Sequence, residues 1–250
     1  MRPRMGLLVA LAVAAAAFVK GAIGFGFPTL GTPLLTLLVD VKTAFLVLIV
    51  PNVVMDAVQF VRAGAPRATV RRMAPVVAFG AVGTVVGTHL LASFASRTVM
   101  LILGAFILTF VALNATRLSP RLPPRWEPWA SPIVGFAAGV IGGITNVPGT
   151  PLVLYFYALR LSKQEFVSAV GFTFVFYKLA QLAAVTWYGL MSGALLAWSL
   201  LLTVAALTGF GLGLRVQDRL EAKTFNRAVL VFLAALGAWL VARSLWPGRD

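Results

Sequence analysis

Cysteine is absent from this chain, which excludes disulfides and thiolate-bound metal. Histidine occurs once, at His89, too few for a metal cluster, so no metal site is expected. Acidic residues number 7 in 250, and charged residues make up only 11%, against roughly 25% in soluble domains. Enzyme signatures are missing as well: there is no Gly-x4-Gly-Lys, no Gly-x-Ser-x-Gly and no metal-spaced His/Glu set. These absences argue against an enzyme and against a cofactor. Without an ATP-binding loop, any transport is secondary or channel-like.

What fills the chain instead is apolar, at 60% of residues and a mean hydropathy of +0.94. A soluble core of this size cannot hide so much apolar surface. The class is therefore a polytopic membrane protein, with the lipid bilayer as its partner. The net charge of +14 does not point to nucleic acid, because Lys and Arg lie mostly in short loops between apolar runs, where orientation in a bilayer puts them.

Two stretches interrupt the apolar pattern in the same way. They are Gly21-Ala-Ile-Gly-Phe-Gly-Phe-Pro-Thr-Leu-Gly-Thr-Pro-Leu34 and Gly139-Val-Ile-Gly-Gly-Ile-Thr-Asn-Val-Pro-Gly-Thr-Pro-Leu152, which agree at seven of fourteen positions at an offset of 118. Interrupted hydrophobic segments at matching places in two halves point to a transporter's binding site.

Apolar runs fall at 5–19, 28–39, 43–61, 73–92 and 98–114, then at 130–141, 148–159, 166–188, 193–214 and 226–245. Six of these runs approach the ~20 residues that a spanning helix needs. The four that flank the motifs are no longer than 15 residues and read as arms of re-entrant hairpins. The expected fold is all-α and integral to the membrane, one polytopic domain of two inverted homologous repeats. Repeat one covers 1–117, a Pro-rich linker 118–130 and repeat two 131–250, and each repeat is a broken helical hairpin plus three transmembrane helices. Residues 1–18, with Arg2 and Arg4 before a Leu/Val/Ala run, resemble a signal peptide. The first motif begins directly after it, so the segment is read as retained.

Loop charges follow the inverted arrangement. Thirteen Lys/Arg collect on the side of the loops at 62–72, 117–125, 160–163 and 215–227, and six (Arg2, Arg4, Lys42, Arg97, Arg243 and Arg249) on the other. The positive-inside bias then puts both termini outside. Gly83-x3-Gly87 and Gly209-x3-Gly213 occupy equivalent spans and read as helix-packing seams, and glycine-rich faces of this kind would also suit a homodimer. Trp126, Trp129, Trp187, Tyr188 and Trp246 are expected at the membrane interface, as is His89 at the end of a span.

Non-helical backbone survives at membrane depth only where it is buried in protein or lines a polar cavity. The two breaks should therefore hold the binding site, with Gly24, Gly26, Thr29, Gly31 and Thr32 from one and Gly142, Gly143, Thr145, Asn146, Gly149 and Thr150 from the other. Pro28 or Pro33, and Pro148 or Pro151, suit a first helical turn, and Thr29, Thr32 and Thr150 suit caps. Two helix N-termini meeting near the midplane would present free N–H groups and partial positive charge to an anion. Lys20, just before the first break, and Lys178, in the middle of a span, add charge at a depth where charge is costly and a functional role is the default. Asn52, Asp56 and Gln59 share one helical face, and Thr173, Tyr177 and Gln181 form a similar stripe. Asp56, the one mid-span acid, could pair with a lysine or serve as the coupling group.

Two matched Gly-x-x-Gly…Gly-Thr-Pro motifs, in Gly21 to Pro33 and in Gly139 to Leu152, together with Pro51-Asn52, make the chain resemble the TauE/SafE family of sulfite exporters. The resemblance implies a multi-pass transporter of a bacterial-type plasma membrane, with two homologous halves and a sulfur oxyanion or organosulfonate as substrate. Phe25, Phe27 and Pro28 of the first motif stand where Gly143, Thr145 and Asn146 stand in the second, so the hairpins differ chemically. The expected function is secondary transport of a small anion, sulfite or an organosulfonate, bound between the hairpin tips. The alternatives are a passive anion channel and a cation- or proton-coupled carrier of another small solute.

Overall fold

The computed structural model describes residues 3–64, 67–115, 121–217 and 222–246. Among these residues the regular structure is entirely helical. The first half contains α1 (Pro3–Ile23), α2 (Phe27–Leu35), α3 (Val41–Val47), α4 (Ile49–Ala63), α5 (Arg67–Ser93) and α6 (Ser96–Ala115). The second contains α7 (Glu127–Thr145), α8 (Gly149–Ala158), α9 (Lys163–Trp187), α10 (Gly193–Val216) and α11 (Ala222–Leu245). Seven apolar segments are long enough to cross a membrane, counting α3 and α4 together, and the apolar part of α11 at Val229–Leu245 is shorter. The protein is a multi-pass membrane protein of all-α class.

The first arms of the two hairpins are longer than the apolar runs suggested. At 21 residues for α1 and 19 for α7, each is long enough to cross, while α2 and α8 have only 9 and 10. The arms are thus unequal rather than four short ones. Helix α1 runs through Gly21, and α7 runs through Gly142 and Gly143, because a helical glycine pressed against a neighbouring backbone does not end its helix. The stretch read as a linker lies partly outside the described residues, at 118–120, and α7 already starts at Glu127, inside it. Arg2, Arg117, Arg219 and Arg249 of the loop-charge reading lie outside the described residues as well.

Glycine seams set the packing. Helix α5 lies along α7, α10 along α1, α4 along α9 and α6 along α11. This pairing maps onto itself when the two halves are exchanged. A Cβ on Gly83 or Gly87 would come within 2.2 Å of the carbonyl oxygens of Phe136 and Val140 on α7. On the other seam, Gly209 and Gly213 stand in the same way against Ala14 and Phe18 of α1, at 2.1 and 2.2 Å. The first glycine of each motif belongs to these seams, Gly21 against Phe210 O at 2.3 Å and Gly139 against Gly80 O at 2.1 Å. Only residues without a Cβ permit such backbone approach. These glycines are used in helix packing within the chain.

The run read as one helix at 43–61 is broken at Leu48, between α3 and α4. Pro51 has no N–H for the carbonyl of Val47. Ser199 of α10 replaces that bond, its hydroxyl donating to Val47 O at 2.9 Å and accepting from Val50 N at 3.4 Å. Trp126, Trp129, Trp187 and Trp246 are exposed, as interface anchors require, and His89 is exposed with its ring against Tyr188.

Gly139→Ala is expected to destabilise the protein by ~1–3 kcal/mol through overpacking. Gly211→Ala, where nothing lies within 4 Å of the added carbon, should leave the melting temperature in detergent unchanged or raise it. Equal melting of the two variants would show that the seam is not close-packed.

Candidate functional site

The two helix breaks turn by different means. In the first, Gly24 (φ 87°) and Gly26 (φ 96°) take the left-handed conformation that glycine allows, between the end of α1 and the start of α2. In the second, Asn146 (φ 66°) takes that conformation as the C-cap of α7, its N–H bonded to Gly142 O at 2.8 Å. Thr145 ties this turn, its hydroxyl donating to Ile141 O at 2.7 Å and accepting from Val147 N at 3.2 Å. Gly142 lies under the turn, where a Cβ would meet Pro148 at 2.7 Å.

Three charged side chains are buried among the described residues, Lys20, Asp56 and Lys178. Lys20, one turn before the end of α1, forms an ion pair with Asp56 Oδ1 on α4. Lys178, in the middle of α9, donates to Asn146 through its side-chain oxygen and, at 3.3 Å, its carbonyl, and to Gln181 Oε1 at 2.6 Å. All of these acceptors are neutral oxygens. The ammonium also lies 5.9 Å from the centroid of the Phe45 ring. The Asn146 amide donates to Thr32 Oγ1 of α2 at 3.1 Å, and Gln181 Nε2 donates to Gly142 O at 3.3 Å. The second hairpin is thereby tied to α2 through the Asn146 amide and to α9 through Lys178 and Gln181.

A second group of buried polar atoms has no protein partner among the described residues: both amide atoms of Asn52 and of Gln59, Asp56 Oδ2, Thr173 Oγ1 and Ser168 Oγ. They lie on α4 and α9, which pack together. Buried polar groups without partners are uncommon, and each is costly. A ligand with oxygens and water around it would satisfy several at once. A cavity of about 360 Å³ reaches this region. Its wall includes exposed Arg62 and Gln164 at one end and buried Lys20 and Gln59 at the other, with Gly24 between α1 and α2. Arg62 belongs to the arginine-rich set of loops.

The structure thus gathers Lys20, Gly24, Asp56 and Gln59 at the cavity and its ion pair, and Asn146, Thr32, Lys178 and Gln181 at the second break, with Asn52 on α4, which packs along α9. It puts other expected residues elsewhere. Tyr177 turns to the α5–α7 seam, its hydroxyl 3.0 Å from the carbonyls of both Val76 and Gly135. Gly143 packs on α5, where an added Cβ would stand 2.6 Å from Thr84 O, and Gly31 packs against Ala16 and Leu48 at 3.4 Å. Gly26 carries the turn, and Gly149 makes ordinary contact with Phe174. The capping expectation fails for the described threonines, since Thr29 and Thr32 are buried inside α2, whose N-cap is Gly26. Helix α8 starts at Gly149, its N-cap Pro148 offering no side-chain cap, and the Thr150 side chain lies outside the described residues. Sequence reasoning missed Arg62 and Gln164; Arg62 continues the face of Asn52, Asp56 and Gln59 by one helical step, a signal that was available.

Removing one partner of a buried ion pair leaves an uncompensated charge. Lys20→Met or Asp56→Ala alone is therefore expected to cost ~3–5 kcal/mol, and the double variant clearly less than the sum. Strict additivity of their melting shifts would show that the two charges do not interact. At the other hairpin, Asn146→Ala should melt below Asn146→Gly by the equivalent of ~1–2 kcal/mol, because only alanine resists the left-handed turn.

Compared with models of known families, residues 8–240 match the one described as Sulfite exporter TauE/SafE. No curated protein and no solved structure matches. The matched span takes in both hairpins, both buried lysines and Asp56, so this chain belongs to the TauE/SafE sulfite exporter family, whose members are membrane transporters.

Proposed function

We propose that this chain is a secondary transporter of a small anion, sulfite or an organosulfonate, bound between the two hairpins. One observation carries the reading: the Lys178 amine is fully buried and its hydrogen-bond acceptors are all neutral oxygens. A buried charge without a counter-ion is costly, and at membrane depth it marks a substrate or ion path. An anion supplies the missing charge. Lys20, paired with Asp56, stands at the inner end of the 360 Å³ cavity. The unpartnered amides of Asn52 and Gln59 and the hydroxyl of Thr173 are donors of the kind an oxyanion accepts.

A second cavity, of about 470 Å³, supports transport rather than static binding. It is lined by Thr36, Asp40, Arg97 and Arg243 among others. Gly24, at the first cavity, lies three residues before α2, and Thr36, at the second, directly follows it. Each cavity thus adjoins one end of a short helix, and each carries arginine. Alternating access then consists of rocking one hairpin bundle against the other, with the arginine-rich side cytoplasmic in a bacterial-type plasma membrane and the halves inverted. Asp56, with one oxygen on Lys20 and the other unpartnered, is the coupling group in this scheme.

The test is counterflow of labelled sulfite in liposomes loaded with unlabelled sulfite or methanesulfonate. Wild type should accumulate label transiently, and Lys178→Met should lose at least about tenfold in rate while reconstituting normally. Equilibration without overshoot would indicate a channel. Unchanged counterflow in the variant would move the site away from Lys178.

A further inference from the structure

We infer that the site is matched to a single negative charge, so that it selects monoanions over dianions of the same shape, and that Asp56 sets this preference. The inference rests on the small-anion reading and deepens it. Lys20, Asp56 and Lys178 are the buried charges among the described residues; Lys20 is paired with Asp56 on α4, and Lys178 stands on α9, which packs along α4. With both lysines protonated and Asp56 ionised, the empty site carries +1.

The energy of a net charge in a low-dielectric region rises with the square of that charge. A monoanion takes the site from +1 to zero, the least costly state. A dianion takes it from +1 to −1, which gains nothing in net charge, and it gives up a larger hydration energy on entry. The neutral ligands reinforce this. Asn146 and Gln181 offer Lys178 oxygens, which hold the ammonium in place without cancelling its charge. The unpartnered donors on Asn52, Gln59 and Thr173 can hydrogen-bond an anion's oxygens but cannot offset a second full charge. Asp56 is the acid that removes one lysine from the count. Replacing it with asparagine raises the empty site to +2, and the dianion then becomes the ligand that brings the charge to zero.

Methanesulfonate and sulfate are a suitable pair, both tetrahedral sulfur oxyanions, one with a methyl group where the other has a charged oxygen. Binding of their sodium salts to the purified full chain in detergent, at one pH and constant ionic strength, reads the preference directly. Wild type is expected to bind methanesulfonate at least about tenfold more tightly than sulfate, and Asp56→Asn to shift the ratio toward sulfate by at least about tenfold. Lys178→Gln, at zero net charge, is expected to lose methanesulfonate binding by a similar factor. Sulfate binding in wild type as tight as methanesulfonate would overturn the charge inference and leave the small-anion reading standing. Binding of neither anion by wild type would overturn that reading itself. A folded Asp56→Asn protein with an unchanged ratio would overturn the role of Asp56, and should that variant not fold, the wild-type ratio and Lys178→Gln still decide.

Discussion

An ammonium group at membrane depth must find its oxygen ligands inside the protein, and Lys178 finds them at the broken end of α7. In a continuous helix the carbonyl of Asn146 would accept the N–H four residues on. The turn at Asn146 frees that carbonyl and brings the side-chain amide to the same place. The charge and the break stabilise each other, since the lysine satisfies oxygens that the broken helix leaves over and the break supplies oxygens that the lysine needs. Gln181, one turn along α9, closes the arrangement by holding both the ammonium and the carbonyl of Gly142.

That geometry depends on the glycine seams. Helices of 9 and 10 residues such as α2 and α8 are marginal by themselves. They persist because the long helices enclose them, and nearly all of α2 is buried. The long helices in turn approach closely only where glycine removes the Cβ, on the α5–α7 seam and again on the α1–α10 seam. Gly21 and Gly139 open the two motifs and lie on those seams, so one residue in each half fixes where its hairpin sits relative to the neighbouring helix.

The main lines were legible in the sequence because membrane depth makes exceptions conspicuous: two Gly/Pro interruptions, two lysines and one acid in apolar surroundings. The packing roles of Gly83, Gly87, Gly209 and Gly213 were legible from their spacing. Orientation was not. Tyr177 lies on α9 only one residue from Lys178, yet it faces α5 and α7 and not the lysines. Gly31 and Gly143 sit within the motifs but pack against helices. The positions of Thr29 and Thr32 inside α2 depended on where the helix restarts, which a run of Gly, Phe and Pro does not fix to one residue. Helix length was hidden for the same reason, since a glycine that breaks a helix and one that lets a helix continue against a neighbour look alike in a sequence. The pairing of Lys20 with Asp56 joins residues 36 apart, and it was open among several partners until the helices were placed.

Two helices that pack together, one from each half, carry buried side chains of opposite charge. Asp56 on α4 and Lys178 on α9 are 122 residues apart, as are Gln59 and Gln181. In the first half an acid on the long helix meets a lysine from the hairpin. In the second a lysine on the long helix meets a neutral asparagine from the hairpin. An aspartate at 146 would have paired the second lysine too and left a neutral site with no charge-based drive toward an anion. An alanine at 56 would have left two lysines uncompensated in the empty protein, at the ~3–5 kcal/mol cost of breaking a buried pair. In the proposed site, with one half paired and the other unpaired, a single charge is left over, enough to attract an anion and small enough to bury. In the proposed mechanism that asymmetry, rather than the repeated architecture, is what gives the site its sign.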